Sequence, residues 1–277
     1  MKSITKPFKR GRMRLFAGQV CHTAKRYGRW AFGGIAFAKI DNFPAGQHVH
    51  FAHKTPLLRN LSAEEMALQR GKVNNLKIAA ARINGIVIKP GQTFSFWRAI
   101  GRPTRKKGYR HGMVLSQGRI KSGIGGGLCQ LSNMIYWMAL HTELTITERH
   151  RHGYDVFADA GRTQPFASGA TCFYNYGDLM IANSTGQAFL LRINVGEKYL
   201  EGAILAERAA EYYYEVYEKE HLIQSQFWGG YTRQNVIHRK KYIGGEICAD
   251  EFISENHAIM MHNPLLAENK EKICNQL

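Results

Sequence analysis

The stretch SGIGGGLCQLSNMIYWMALH, residues 122–141, decides the fold. It opens as a glycine-rich turn and continues with Leu128, Leu131, Ile135 and Met138 at helical spacing. A neighbouring stripe holds Cys129, Ser132 or Asn133, Tyr136 and Leu140. The reading is a glycine turn that leads into a helix bearing Cys129 at its start. Upstream, residues 62–84 read as a helix in which Ser62 and Glu65 form a capping box, Gly71 is a weak point and Gly85 a stop. Residues 86–88 and 93–96 read as strands joined by the turn at 89–92, and 109–115 opens another strand. Downstream, 144–152 reads as one strand with Leu144, Ile146, Glu148, His150 and His152 on a single face. Segments at 169–174, 179–182, 189–195, 212–217, 231–241 and 247–253 read as antiparallel strands. The fold class expected is α+β: an antiparallel sheet packed on a few helices.

The chain has 277 residues and is 44% hydrophobic, enough for a sizeable core. That composition excludes a disordered tail protein, a collagen-like fibre and a disulfide-stapled miniprotein. No run approaches the roughly 18 apolar residues of a membrane span, and no small-residue cleavage site follows the basic start. The location expected is cytoplasmic or peripheral at the inner membrane face.

The net charge of +17 is unevenly spread. Residues 1–40 hold ten Lys or Arg, no acid, and Phe8, Phe16, Tyr27, Trp30, Phe32 and Phe37 among them. Such a block suits an anionic membrane surface, or stands as a solvated N-terminus. Residues 66–142 hold 13 Lys or Arg and no acid, a positive field that favours anionic ligands. Residues 197–277 are net negative. The organisation expected is a basic N-terminal arm or extension over 1–55 and one domain over 56–277, with its motifs in 60–200 and a β-rich part in 201–277. Nucleic acid is disfavoured as a partner, since no finger spacing, ribonucleoprotein motif or helix-turn-helix pattern is present.

Cys21, Cys129, Cys172, Cys248 and Cys274 are scattered and odd in number, which argues against a disulfide framework or a cysteine zinc site. His48, His50 and His53 are a conceivable metal cluster, but no carboxylate or cysteine nearby completes it, so neither metal nor cofactor is expected. Cys129 is the residue to explain. A helix start carries free amides and partial positive charge, which depress a thiol pKa. The turn at Gly126 and Gly127 brings backbone amides near a reacting carbonyl, as an oxyanion hole requires. His150 and His152, beside Glu148, supply an imidazole at the distance of a following strand. These are the parts of Cys–His acyl transfer. The plainer reading is a small buried hydrophobe, with glycines that permit close packing.

The same residues carry a resemblance. The segments 91–96 (GQTFSF) and 125–133 (GGGLCQLSN), Tyr136, and 148–152 (ERHRH) resemble the signature of the VanW family. The resemblance runs over about residues 60–200. Some exported members act as L,D-transpeptidases that cross-link peptidoglycan through a cysteine, and Cys129 matches that cysteine. In many members a serine follows the second histidine; here Gly153 stands there. The exported members carry an anchor or signal, and none is read in this sequence. The resemblance implies a cysteine acyltransferase on peptidoglycan stem peptides or lipid-linked precursors. In it, geometry assigns His152, or alternatively His150, as base, and Glu148 as the group that orients it. Ser132, Asn133, Tyr136, Arg105 and Arg110 would contact substrate. The rival reading is a non-enzymatic protein at the membrane surface that binds a wall precursor or a resistance partner.

Overall fold

The structure, a computed structural model, describes residues 11–44, 47–58, 63–116, 118–156 and 164–264. The chain opens with helix α1 (Arg12–Phe32) and continues through β1 (Lys39–Ile40), β2 (His48–Pro56), helix α2 (Ala63–Ile83), β3 (Ile86–Ile88) and β4 (Thr93–Ser95). A short helix α3 (Phe96–Ile100) precedes the hairpin β5 (His111–Ser116) and β6 (Arg119–Ile124). Helix α4 (Cys129–Leu140) is followed by β7 (Thr145–Glu148), β8 (Tyr154–Asp155), β9 (Met180–Ala182), β10 (Phe189–Val195) and β11 (Tyr199–Ala206). The chain then forms β12 (Tyr213–Ser225), β13 (Tyr231–Ile243) and β14 (Glu246–Met260).

The central sheet has the order β1-β3-β10-β11-β2, antiparallel throughout. Period-two patterning gives it two apolar faces. Ile86, Ile88, Phe189, Leu191, Ile193 and Ile204 point into the main core with α2 and α4. Val87, Leu190 and Leu205 point the other way, into a small cluster closed by Phe43. A second sheet, β4-β9-β7, adjoins the site. The third, β12-β13-β14, is a long meander that takes up β8 as its one parallel edge.

The α+β class is what the sequence led one to expect. Three differences have physical causes. The segment expected to be an arm over 1–55 reaches into the fold: β1 and β2 are strands of the central sheet, and 12–32 is helical. The strand expected over 144–152 ends at Glu148, after a register shift against β9. From Arg149 to His152 the chain is held chiefly by its arginine side chains and a single Thr171 N–H to His150 O bond, with no ladder until β8. Strand β11, unread in the sequence, is a central strand buried chiefly at Leu200 and over Ile204–Ala206, without the polar alternation of a one-sided strand. The capping box of Ser62 and Glu65 lies outside the described residues.

Helix α4 is the pillar of the core. Leu131, Met134, Ile135, Met138 and Leu140 are buried on it, each worth about 2 kcal/mol when fully removed from water. It crosses β11 at Gly202, where an added Cβ would meet the Met134 and Met138 side chains. Its last carbonyls are satisfied from outside: Arg239 of β13 donates to Leu140 O at 2.9 Å and Thr142 O at 3.0 Å. Its start is tied to β2, with Gln130 donating to Thr55 and to the Pro56 carbonyl.

Candidate functional site

Cys129 is the first residue of α4. No side chain caps the helix; Leu128 precedes it in helical conformation. The turn before it is shaped by packing. Gly127 has φ +91°, a left-handed backbone that glycine adopts without strain, and an added Cβ would strike the Lys72 side chain. Gly126 lies against the backbone of Gly112, and Gly71 of α2 lies against the carbonyl of His111. Asn75 of α2 donates to Gly126 O at 2.9 Å and to Arg110 O at 3.0 Å, and accepts from Arg110 N at 2.8 Å. The glycines thus let a helix, a hairpin and the turn touch backbone to backbone, with Cys129 set at their junction.

The Cys129 residue is partly exposed, but burial of its thiol pushes the pKa up. Two hydrogen bonds pull the other way, from the backbone N–H of Cys172 and of Cys129 itself. The depressed thiol expected from a helix start in a positive field is therefore not what the free protein holds: desolvation outweighs both amides. The proximity of the two cysteines was invisible in their spacing. Cys172 is buried, its own thiol is raised by burial and by its neighbour Cys129, and Ser132 bonds to it.

The second half of the site is the segment 148–152, whose side chains divide by alternation. Glu148 and His150 share one side: His150 Nε2 lies 2.9 Å from Glu148 Oε1. Glu148 is also held by both terminal nitrogens of Arg26, by Arg29 at 2.9 Å, and by the Asp178 N–H at 3.1 Å. Burial alone would raise this carboxyl; the bonds from His150, Arg26 and the Asp178 amide overcome it and hold the pKa down to about 2. Asp178 beside it is fully enclosed, and burial raises it to about 6 despite bonds from Ser95 at 2.5 Å and the Trp97 N–H at 2.9 Å. Arg26, Arg29 and Asp178 escaped the sequence reading. Nothing in a run of ten cations marks the one that is buried.

Arg149 and Arg151 take the opposite side and clip the segment to the meander. Arg149 donates to Gly169 O at 2.8 Å, to Asn256 Oδ1 at 3.1 Å and to Ala167 O, and its guanidinium lies 4.9 Å from the Tyr136 ring centre. Arg151 reaches the His257 carbonyl, and burial lowers it to about 10. Gly153 O then accepts from Ile259 N at 3.0 Å. Arg149→Lys removes the planar fork that serves three acceptors. It is expected to lower stability by about 2 kcal/mol, read from the urea midpoint, with Cys129 alkylation unchanged.

The halves meet through one short segment. Thr171 N–H donates to His150 O at 2.8 Å, and the next residue supplies the amide on the Cys129 sulfur. No hydrogen bond joins either imidazole to that sulfur among the described residues. His152 packs edge-on against Phe173 at 6.0 Å, and burial lowers its pKa. Ser132 is buried and donates to Ala170 O at 2.7 Å. Tyr136 is buried in the core, bonded to Ser254. Both seat the helix. Asn133 is exposed while accepting from Ala170 N at 2.8 Å. Arg105 meets His111 at 3.0 Å, and the Arg110 side chain is exposed. His48, His50 and His53 lie on β2. His50 bonds to Arg208 O and His53 to Gln164, and among the described residues no three His, Cys, Asp or Glu converge as metal ligands.

Comparison with known proteins finds the family model described as VanW like protein, matching residues 71–205, from within α2 to the end of β11. The vancomycin B-type resistance protein VanW of Enterococcus faecalis (strain ATCC 700802 / V583) is 30% identical over 190 residues, 69% of each chain. The protein YoaR of Bacillus subtilis (strain 168), described as uncharacterized, is 30% identical over 124 residues, 44% of this chain and 39% of that one. No solved structure matches.

Proposed function

The chain belongs to the VanW family, and on that premise we propose that it is a cysteine-dependent acyltransferase of the L,D-transpeptidase kind, acting on peptidoglycan stem peptides or their lipid-linked precursors. Membership brings a link to vancomycin resistance, and with it a role at the cell wall. The observation that carries the finer reading is the seat of Cys129: first in α4, its sulfur met by two backbone amides, one of them next to the residue that bonds His150.

The chemistry follows from that seat. Because burial keeps the thiol protonated, the proton must leave as the sulfur attacks, and an imidazole has to take it. The sulfur adds to the carbonyl before the terminal D-residue of a donor stem. Amides about Gly127 and Cys129 stabilise the oxyanion, the Gly126 N–H being already given to Gly123 O at 3.1 Å. The C–N bond breaks, the imidazolium returns its proton to the leaving amine, and a thioester remains. An acceptor amine, or water, attacks the thioester and the thiol is regenerated. His150 is favoured as base by its bond to Glu148, whose ionised carboxylate would steady the imidazolium; His152, kept neutral by burial, is the other candidate. Asn133, Arg105 and Arg110 are the exposed groups suited to hold stem carboxylates or a pyrophosphate.

The test is incubation of the purified chain with a stem tetrapeptide, whose terminal D-residue follows an L-centre, then intact-mass measurement, together with the glycopeptide resistance of cells carrying each variant. An acyl adduct on the native chain, lost in Cys129→Ala along with resistance, is the expected result. Unchanged resistance with Cys129→Ala overturns catalysis. It would favour a non-enzymatic protein that binds a wall precursor or resistance partner, a reading the raised thiol pKa supports.

A further inference from the structure

We propose that α1 is an interfacial docking helix that lies on an anionic bilayer surface and presents the Glu148–His150 end of the site to it. The proposal rests on how this helix is attached. Its polar face turns inward: Arg26, only 7% exposed, and Arg29 are bonded to Glu148. Its apolar face consequently turns outward. Met13, Phe16, Ala17, Val20 and Ala24 fall at i, i+3, i+4, i+7 and i+11 along one stripe, which ends where Tyr27 turns to bond Tyr174 at 2.7 Å. Met13 is 87% exposed, Phe16 69% and Val20 53%, and Phe32, at the other end of the helix, is 90% exposed.

A helix attached this way has no reason to be stable in water over its first three turns. Residues 13–21 are exposed apart from partial cover at Gly18, and packing begins only where the His22 ring meets Tyr176 at 6.0 Å. An interface that accepts apolar side chains on one side and cations on the other supplies what is missing. Arg14 and Lys25 stand beyond the stripe on one flank, where long side chains snorkel to headgroups. Four further Lys or Arg lie in residues 1–10, and no acid occurs before Asp41. That charge selects an anionic surface over a second copy of the same helix, which would carry the same charge. The helix lies on the surface and does not cross it, since among the described residues no helix is long and apolar enough to span a bilayer. The inference is independent of whether Cys129 is a nucleophile.

The experiment is co-sedimentation of the full chain with vesicles of phosphatidylglycerol and, separately, phosphatidylcholine, across a salt series. Phosphatidylglycerol vesicles should be bound at least about tenfold more tightly, and more weakly as salt rises. A Met13→Ser, Phe16→Ser, Val20→Ser variant changes only exposed side chains and should fold normally, which circular dichroism of the strands would verify. It should lose at least about tenfold in vesicle affinity. No binding to anionic vesicles, or equal binding by the variant, overturns the proposal. So does a native dimer that the variant converts to monomer, because the stripe would then serve a second copy.

Discussion

Replacing Gly71 by alanine is expected to destabilise the protein by about 3 kcal/mol. Helix propensity alone predicts the opposite, a gain near 1 kcal/mol for alanine over glycine inside a helix. The difference is the space. An added Cβ at Gly71 would overlap the His111 carbonyl oxygen, a backbone atom at the start of β5. That strand is held in register with β6 from His111↔Ile124 to Ser116↔Arg119, so it cannot yield as a flexible side chain would. Gly126→Ala meets the backbone of Gly112 in the same way. Gly18→Ala in α1 is the control: nothing lies within 4 Å of its added Cβ, and the change should be neutral or gain up to about 1 kcal/mol. Urea midpoints of the three variants decide the matter. A Gly71→Ala protein as stable as the native one would mean that α2 and the hairpin do not touch through backbone.

The second large effect is at Glu148. Glu148→Gln leaves Arg26, buried and charged, without its carboxylate, a change that costs about 3–5 kcal/mol where a buried pair loses one partner. The pH profile separates this from a simple loss of packing. Glu148 titrates at about 2 in the fold against an ordinary 4.5, a difference on the order of 3 kcal/mol. A depressed carboxyl contributes its stability above the ordinary value and loses it as pH falls from about 4.5 toward 2. Asp178 runs the other way. Its pKa rises from 3.8 to about 6, so folding favours its protonated form and its contribution declines as pH climbs through that window. Together the two give greatest stability between pH 4 and 5 from these groups. In Glu148→Gln the acid limb should flatten and the limb from Asp178 should persist. A native acid limb in the variant would assign it to other carboxylates.

What the sequence disclosed, it disclosed where a single local rule acts. The apolar spacing of 128–140 marked α4, and short apolar runs beside Pro90-Gly91 marked β3 and β4. Strand β11 was missed because a strand buried on both faces loses its alternation. Helix α1 is not legible because its pattern is inverted: Arg26 is buried and Trp30 reaches the core, while Met13, Phe16 and Val20 are exposed. At the site, Cys129 and the segment 148–152 were legible as residue types at a turn and after a helix. Their relation was not. Thr171 and Cys172, which join them, stand far along the chain from both Cys129 and His150, and no local pattern ties those positions together. The strand expected to reach His152 ends at Glu148. The alternation of ERHRH over 148–152 is real, but half-buried arginines hold the odd positions in place of a ladder: Arg149 on the Gly169 carbonyl and the Asn256 side chain, Arg151 on the His257 carbonyl of β14.

The pairing of β2 with β11 also sets a schedule for synthesis. His48 is matched with Ala206, and Pro56 with Tyr199, so a strand made early waits for one made some hundred and fifty residues later. Through that interval β2 has no partner on the nascent chain, and β3 has only its two-residue pairing with β1. The meander is the reverse case: β12, β13 and β14 pair with their sequence neighbours and close as they leave the ribosome. The central sheet thus closes only when β11 emerges, just before the meander is made, although its first strands are made early; until then the unpaired β2 edge is where a chaperone would hold the growing chain.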